Sequence, residues 1–541
     1  MWTQIGTPPT VGEMMPGTAP IYKRTPVRLA YVALAAGLLF LSQAITVSAV
    51  ASTTLFTFKG TPGGAQPWST LVAGPGNYLY GTTSGGGAFG EGTVYRVSLS
   101  GVVTVLRSFD SSDTSTTSAG HTPTGRLLLA RDGRLYGTTS SGGDWDNCAA
   151  GYGKCGTLFS LNTDGTGFRI EHRFEGGEND GAEAVAGVIE GTDGRLYGTT
   201  KAGGADERGS AYSNRGTVYA FDRATGTLTL LHTFSGEDGS APMAELVEGA
   251  AGSFYGTTSR HLTTGYGSGS VFEVTAGGAF RTLHRFVGIS KGRNPVAPLI
   301  ISRRDGRLYG TTPDGGVAHL GVIFAVTRPA TGTGTLSVIH EFSAEGNTGV
   351  TPMAGLFEAP NGMMYGTAMS GGLPQGDFVS GVMFQLAPSG RVGVLKTFYD
   401  GPDGRQPQTG VTMASDGRLY GTALGGSANL GVLYDYRLGA TATLKRVSAF
   451  PDSVVGGDTS YTAAKGLVLL DGRAPKGARV ALRSSNPAVL AVPASVTVAK
   501  GWSDAPFAIT TRQVSSAQTV EVTATYRRVT KRFSVTVYPA Q

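Results

Sequence analysis

The tripeptide Tyr-Gly-Thr occurs seven times in this chain, with tyrosines at Tyr80, Tyr136, Tyr197, Tyr255, Tyr309, Tyr365 and Tyr420 separated by 56, 61, 58, 54, 56 and 55 residues. So regular a period marks a repeat array, in which each unit is one supersecondary module that buries its apolar face against its neighbours. Each unit holds four strand-length runs, here termed a to d. In the fourth unit these are Ala244 to Glu248, Ser253 to Thr258, Ser270 to Val274 and Arg281 to Phe286. Asp-Gly or Asn-Gly pairs, as at Asp132-Gly133 and Asn361-Gly362, predict two-residue hairpin turns between a and b. Four antiparallel strands in roughly 55 residues match one blade of a β-propeller.

Gly supplies 84 of the 541 residues and charged residues only 15%, yet hydrophobic content is an ordinary 40%. That mixture suits short strands joined by tight turns and excludes a disordered chain, which needs high charge and low hydrophobicity. No long 3.6-period apolar stripe follows residue 50, so helix is expected to be minor.

Alternation along strand b puts Leu79 and Gly81 on one face, Tyr80 and Thr82 on the other. The repeat tyrosines are therefore read as packing between blades. His172, His232, His284 and His340 each precede a repeat Phe by two residues, which makes them scaffold positions too. Only six d strands follow a c strand inside the array, while a seventh copy, Thr53 to Phe58, stands alone near the N-terminus. The last c strand, around Val432 to Tyr436, lacks a d partner of its own. The N-terminal copy can complete that blade and remove an unpaired edge.

The run Leu-Tyr-Gly-Thr-Thr-x-Gly-Gly, then Gly-Thr-Val-Phe/Tyr and a Leu-His-x-Phe strand, resembles the GloVer repeat of bacterial choice-of-anchor tandem repeat proteins. Clear copies stand at Leu79 to Gly86, Leu135 to Gly143 and Leu196 to Gly204, and the resemblance covers about residues 53–440. It implies export and a surface anchor that varies between members. It implies little about mechanism. No Leu-Pro-x-Thr-Gly signal is found in the sequence.

Lys23, Arg24 and Arg28 precede the apolar run Leu29 to Leu41, and Ala49-Val50-Ala51 follows before Ser52. Basic flank, apolar core and A-x-A are the parts of a secretory signal peptide; an uncleaved membrane anchor is the alternative. In an oxidising compartment Cys148 and Cys155, the two cysteines present, are expected to pair. After Thr443 the repeat stops. Residues 444–541 are short alternating strands, and Ser484 to Val498 resembles bacterial Ig-like domains. The expected organisation is all-β: 1–51 a signal peptide or anchor, 52–443 a seven-bladed β-propeller closed by an N-terminal strand, and 444–541 an Ig-like β-sandwich.

Charge separates the parts. The chain is +6 overall, residues 444–541 carry 13 Lys and Arg against 5 Asp and Glu, and residues 1–51 are +2, which leaves 52–443 at −4. A basic terminal module favours anionic surfaces such as cell-wall polymers, and Arg527-Arg528 with Lys531-Arg532 is its strongest patch, although a solvated hairpin edge explains the cluster as well. Export and the lack of a recognised motif argue against nucleic acid.

The b–c and d–a connections emerge at one end of each blade. The b–c loops carry a recurring aromatic: Phe89, Tyr152, Tyr212, Tyr266 and Phe378. A rim of aromatics beside loop acids can stack on sugar rings and hydrogen-bond their hydroxyls; recurrence equally suits wedges between blades. Asp144 and Trp145, in the longest b–c loop, depart from the repeat, and Trp145 is the strongest single candidate. Catalytic motifs are absent: neither a Gly-x-Ser-x-Gly constellation nor His-Glu-x-x-His is present. Asp144-x-Asp146 begins like a calcium loop but lacks its Gly and distal Glu, so calcium is unsupported and no cofactor or metal is expected. Two functions are carried forward: an exported, monomeric binding or adhesion protein for a glycan or surface protein, and a secreted carbohydrate-active lyase or hydrolase working in the propeller's opening. The a strands are mostly apolar, with Glu245 and Glu248 as exceptions, which favours binding.

Overall fold

The computed structural model describes residues 51–111, 119–143, 148, 155–204, 215–250, 252–261, 268–343, 348–371, 381–399, 401–439, 442–457, 464–470, 474, 477–499 and 504–540. Among these, apart from a single 3-10 turn at Pro75–Asn77, regular structure is β-strand, and no helix is long and apolar enough to cross a membrane.

Seven four-stranded antiparallel sheets succeed one another along the described part of the repeat region. The first is built from Val72–Gly74, Tyr78–Thr83, Thr93–Ser98 and Val103–Ser108, hydrogen-bonded in chain order. In the seventh, Thr412–Met413, Leu419–Ala423 and Val432–Tyr436 are joined by the N-terminal strand Ser52–Thr57. That strand leaves Leu55 unpaired in a bulge against Tyr434 and Leu433, as Leu106 is left unpaired against Tyr95 and Val94 in the first sheet. It thus has the register of a d strand. The preceding residue, Ala51, is 1% exposed, and its carbonyl accepts the Arg437 amide at 2.7 Å.

Each repeat tyrosine is buried against the sheet that follows. Tyr136 packs with Val188, Leu196 and Tyr219, and Tyr197 with Leu246, Phe254 and Phe272. Tyr420 of the seventh sheet packs with Leu71, Leu79 and Tyr95 of the first. The threonine two places on adds a polar staple. Thr138 donates its hydroxyl to the Ala186 carbonyl at 2.8 Å, Thr199 to Ala244 at 3.1 Å, Thr311 to Ala354 at 2.9 Å and Thr367 to Thr409 at 2.8 Å. Each such buried bond contributes about 1 kcal/mol net, and the Tyr-Gly-Thr signature is thereby an inter-sheet adhesive as well as a strand former.

A second device joins the sheets. Gln66, Thr122, Glu183, Ala241, Asn294, Thr351 and Gln406 all have φ between 48° and 58°. Six of the seven precede a proline, and Glu183 precedes Ala184. Left-handed backbone is costly for non-glycine residues and the position before proline favours extended chain. Hydrogen bonds hold the conformation: the Gln66 amide donates to the Leu430 carbonyl at 2.7 Å, Thr122 to Glu91 at 3.0 Å and Thr351 to Leu320 at 2.9 Å. Each bond reaches back to the preceding sheet's b–c loop.

The a–b turns differ from the two-residue form expected. Ala130 donates its amide to Arg134 at 3.0 Å, Gly133 donates to Ala130 at 3.0 Å, and only Gly133 takes a positive φ, 79°. This is a three-residue loop ending in a left-handed Gly. The Asp holds it: Asp132 accepts the Arg134 amide at 3.0 Å and the Tyr136 hydroxyl at 2.7 Å. The same hydroxyl-to-Asp bond joins Tyr197 to Asp193, Tyr309 to Asp305 and Tyr420 to Asp416.

Beyond the array, a three-stranded sheet (Leu444–Phe450, Lys465–Leu470, Asp504–Ala508) and a five-stranded sheet that includes Ala478–Ser484, Gln518–Tyr526 and Val529–Tyr538 share one core. Val468 and Phe507 from the first meet Val480, Val522 and Val535 from the second. Lys445 pairs with Asp403 of the array at 2.5 Å. The basic cluster lies on an exposed hairpin whose turn residues, Arg527 and Arg528, have φ of 49° and 69°.

Candidate functional site

Asp144, Trp145, Tyr152, Tyr212, Tyr266 and Phe378 lie outside the described residues. The Cys148–Cys155 disulfide is present, with Cα atoms 5.7 Å apart. Of the aromatic loop residues, Phe89 is described, and it is 58% exposed, so it does not wedge between sheets.

The b–c/d–a end of the array carries most of its exposed apolar surface. Seven large apolar side chains of the described array are exposed: Trp68, Phe89, Val102, Met243, Val287, Ile289 and Val317. Six stand on b–c or d–a connections, and Val102 alone lies on a c–d turn at the other end. Val317 and Ile289 are neighbours, since the Gly316 amide donates to the Ile289 carbonyl at 2.7 Å.

At the centre, the residues leading into the a strands of all seven sheets, with the a strands of the third to seventh, line a cavity of about 700 Å³. Its mouth follows from the left-handed residue and proline just described: the chain turns there and presents the next side chain to the cavity. Trp68, Val185, Met243, Val296 and Met353 occupy this position, with Thr124 and Gln408 as polar members. Trp68 is 47% exposed and Met243 37%.

Two residues deeper, the wall carries one charge pair. Arg126 of the second sheet stands 3.7 Å from Glu245 of the fourth, with Gly187 of the third sheet between them. A Cβ at Gly187 would lie 2.3 Å from the Arg126 carbonyl and 2.8 Å from a Glu245 carboxylate oxygen, so only Gly lets the two meet. Burial pushes the Glu245 carboxyl up, and Arg126 partly offsets it.

The other lining carboxylates serve the scaffold. Glu190 accepts the Arg131 amide at 2.7 Å, Glu248 the Thr192 amide at 3.0 Å, and Glu358 the Arg303 amide at 2.8 Å. Each braces the a–b turn of the preceding sheet. Glu248, an acid the sequence singles out, is thus a turn brace, whereas Glu245 faces the cavity. Among the described residues no group of three or more His, Cys, Asp or Glu is arranged to hold a metal ion.

Sequence reasoning missed Trp68 and Arg126. The signal was the recurring proline before strand a, at Pro67, Pro123, Pro242, Pro295, Pro352 and Pro407, which marks the following residue as axis-facing.

The sequence matches the family described as the Gloeobacter/Verrucomicrobia repeat over residues 35–150, 209–374 and 266–474. No curated protein matches the chain. Similar solved structures include the extracellular domain of a hybrid two-component system from B. thetaiotaomicron, at 10% identity, 91% coverage of this chain, 59% of that one and a TM-score of 0.44. TolB from Acinetobacter baumannii follows at 13% identity, 56% and 58% coverage and a TM-score of 0.32. An α-L-arabinofuranosidase from Clostridium thermocellum stands at 13% identity, 51% and 94% coverage and 0.28. The chain spans less than two thirds of the first two structures' own length.

Proposed function

Because the chain belongs to the Gloeobacter/Verrucomicrobia repeat family, we propose that its repeat architecture displays one ligand-binding face outside the cell. In this reading the seven sheets form a seven-bladed propeller closed by the N-terminal strand, and the two C-terminal sheets form an Ig-like spacer or tether. The Ser52–Thr57 pairing and the contact of Tyr420 with Leu71 support closure. The signal-like sequence before Ser52 and the Cys148–Cys155 bridge support export. Surface retention follows the choice-of-anchor resemblance, with the Arg527–Arg532 hairpin touching anionic wall polymer.

The observation that carries the binding reading is the one-sided distribution of exposed apolar side chains, six of seven on the loop end. Loops on a rigid scaffold are where recognition concentrates, and clustered exposed apolar groups mark interaction surfaces. The enzyme alternative is disfavoured because Glu190, Glu248 and Glu358 brace turns instead of converging on a reacting centre.

The test is retention of the purified protein on bacterial envelope preparations. A Val287→Ser, Ile289→Ser, Phe89→Ser triple variant is expected to lose at least tenfold in retention, and Val102→Ser to match wild type. Equal loss in both, or no retention of wild type, overturns the reading.

A further inference from the structure

We propose that the central cavity is the recognition pocket for an uncharged saccharide unit, with Trp68 as the stacking surface and Arg126, Glu245 and Gln408 as the hydroxyl-binding groups. The inference rests on the binding function proposed above and names its ligand class.

A volume of about 700 Å³ suits a small molecule or one or two sugar rings. The wall is two-sided. Gln408, Trp68 and Arg126 come from the seventh, first and second sheets, and Glu245 reaches the same side across Gly187. Met243 and Met353 come from the fourth and sixth sheets. A sugar ring has the matching division, an apolar C–H face and an edge of hydroxyls, and an aromatic ring is the usual platform for the former.

The charge pair decides between ligand classes. Arg126 and Glu245 offset each other in this row, and the remaining lining carboxylates, Glu190, Glu248 and Glu358 against the single Arg303, keep the wall from drawing an anion. An apolar peptide side chain filling the cavity would cover the pair and leave it unsolvated, which burial of a charge pair penalises. A ligand bearing paired hydroxyls avoids that cost, since each hydroxyl both donates and accepts. At 3.7 Å the two groups are too far apart for a direct hydrogen bond. A hydroxyl can bridge them, donating to the Glu245 carboxylate and accepting from the Arg126 guanidinium. Gly187 keeps the approach open, and the exposure of Trp68 at the mouth lets a chain end enter.

The experiment uses the full exported chain and bacterial envelope preparations before and after mild periodate oxidation, which cleaves vicinal diols, with a panel of defined neutral oligosaccharides in parallel. Expected results are loss of retention after periodate, saturable binding of at least one neutral oligosaccharide, and at least tenfold weaker binding for Trp68→Ala and for Glu245→Gln. Melting temperature is measured for each variant, and the exposed Trp68→Ala serves as the folded arm if Glu245→Gln melts early. Retention that survives periodate overturns the saccharide assignment and leaves the binding function standing. Oligosaccharide binding that Trp68→Ala leaves unchanged moves the pocket elsewhere and overturns the proposal. No retention of wild type on any envelope overturns both readings.

Discussion

The hydroxyl of Thr422 donates to the carbonyl of Pro67 at 3.0 Å, across 355 residues of chain. Thr138 holds the same place in its sheet and donates to Ala186, two residues further along the next lead-in than the counterpart of Pro67. The last sheet therefore treats the first as its next neighbour. Gly431 tightens the junction: its φ is 112°, and a Cβ there would stand 2.4 Å from the Pro67 ring. Gly431→Ala is expected to destabilise the protein by about 2 kcal/mol or more, from backbone strain together with the clash. Gly439→Ala, with a positive φ but open space, is expected to cost less. Denaturant midpoints at unchanged m-value check the difference, and equal costs would show that the junction carries no special strain.

Three tyrosines of the c strands, Tyr95, Tyr219 and Tyr434, bury hydroxyls that have no hydrogen-bond partner. Four other units place Phe at that position: Phe159, Phe272, Phe324 and Phe384. Replacing any of the three by Phe removes an unsatisfied polar atom and is expected to be neutral or stabilising by up to about 1 kcal/mol. Tyr197→Phe is the contrast. It removes a 2.6 Å bond to Asp193 and is expected to destabilise by about 1–2 kcal/mol. A thermal-melt series over the four variants tests the sign.

Stability should depend on pH through two desolvated bases, the half-buried His284 and the buried Lys396. Burial, with Lys291 adding to it, lowers His284 to about 4. Between pH 6.5 and about 4 the unfolded chain takes up a proton that the folded chain refuses, so stability falls as pH falls through this window and is unaffected above it. His284→Gln should flatten that part of the profile. Lys396 stands where four units have His. Burial, with Lys445 close by, lowers it to about 7 despite Asp403 and Asp435, and its ammonium nitrogen has no hydrogen-bond partner. Between about pH 7 and 10.5 the unfolded chain is again the better proton acceptor, so stability rises with pH. Lys396→Met should abolish that rise and add about 1–2 kcal/mol near neutrality. A melting temperature for Lys396→Met below wild type at pH 7 would contradict this account.

The Arg527-Arg528 turn is a two-residue hairpin with both residues left-handed, a conformation that Asn-Gly adopts at far lower cost. Arg527→Asn with Arg528→Gly is expected to stabilise the C-terminal module by about 1 kcal/mol. The same variant should weaken retention on anionic wall polymer if the hairpin touches it, so one protein reports strain by calorimetry and contact by binding.

The strands and their partners were legible because the seven Tyr-Gly-Thr copies repeat at a nearly constant distance, and alternation around Tyr80 sorts the two faces. The turns were less so. Asp132-Gly133 suits either of two loop lengths, and the choice falls to Asp132, whose carboxylate holds the Arg134 amide and the Tyr136 hydroxyl together. The cavity wall was hidden for a related reason. Thr70, Arg126, Gly187, Glu245 and Pro298 occupy one row of it yet share no chemistry, because neighbouring sheets need packing at the strand and leave the axis-facing side chain unconstrained. The aromatic loop candidates from Trp145 to Phe378 fall outside the described residues, whereas Trp68 and the Arg126–Glu245 pair stand on the cavity wall.

The strand Ser52–Thr57 finds its partner some 380 residues downstream, where the Thr53 amide meets the Asp435 carboxylate. At the ribosome's pace of about 5–20 residues per second, it waits tens of seconds for that partner to be translated. A nascent chain stopped short of Val432 leaves it nothing to join, which makes the last c strand the element whose arrival lets the array be completed.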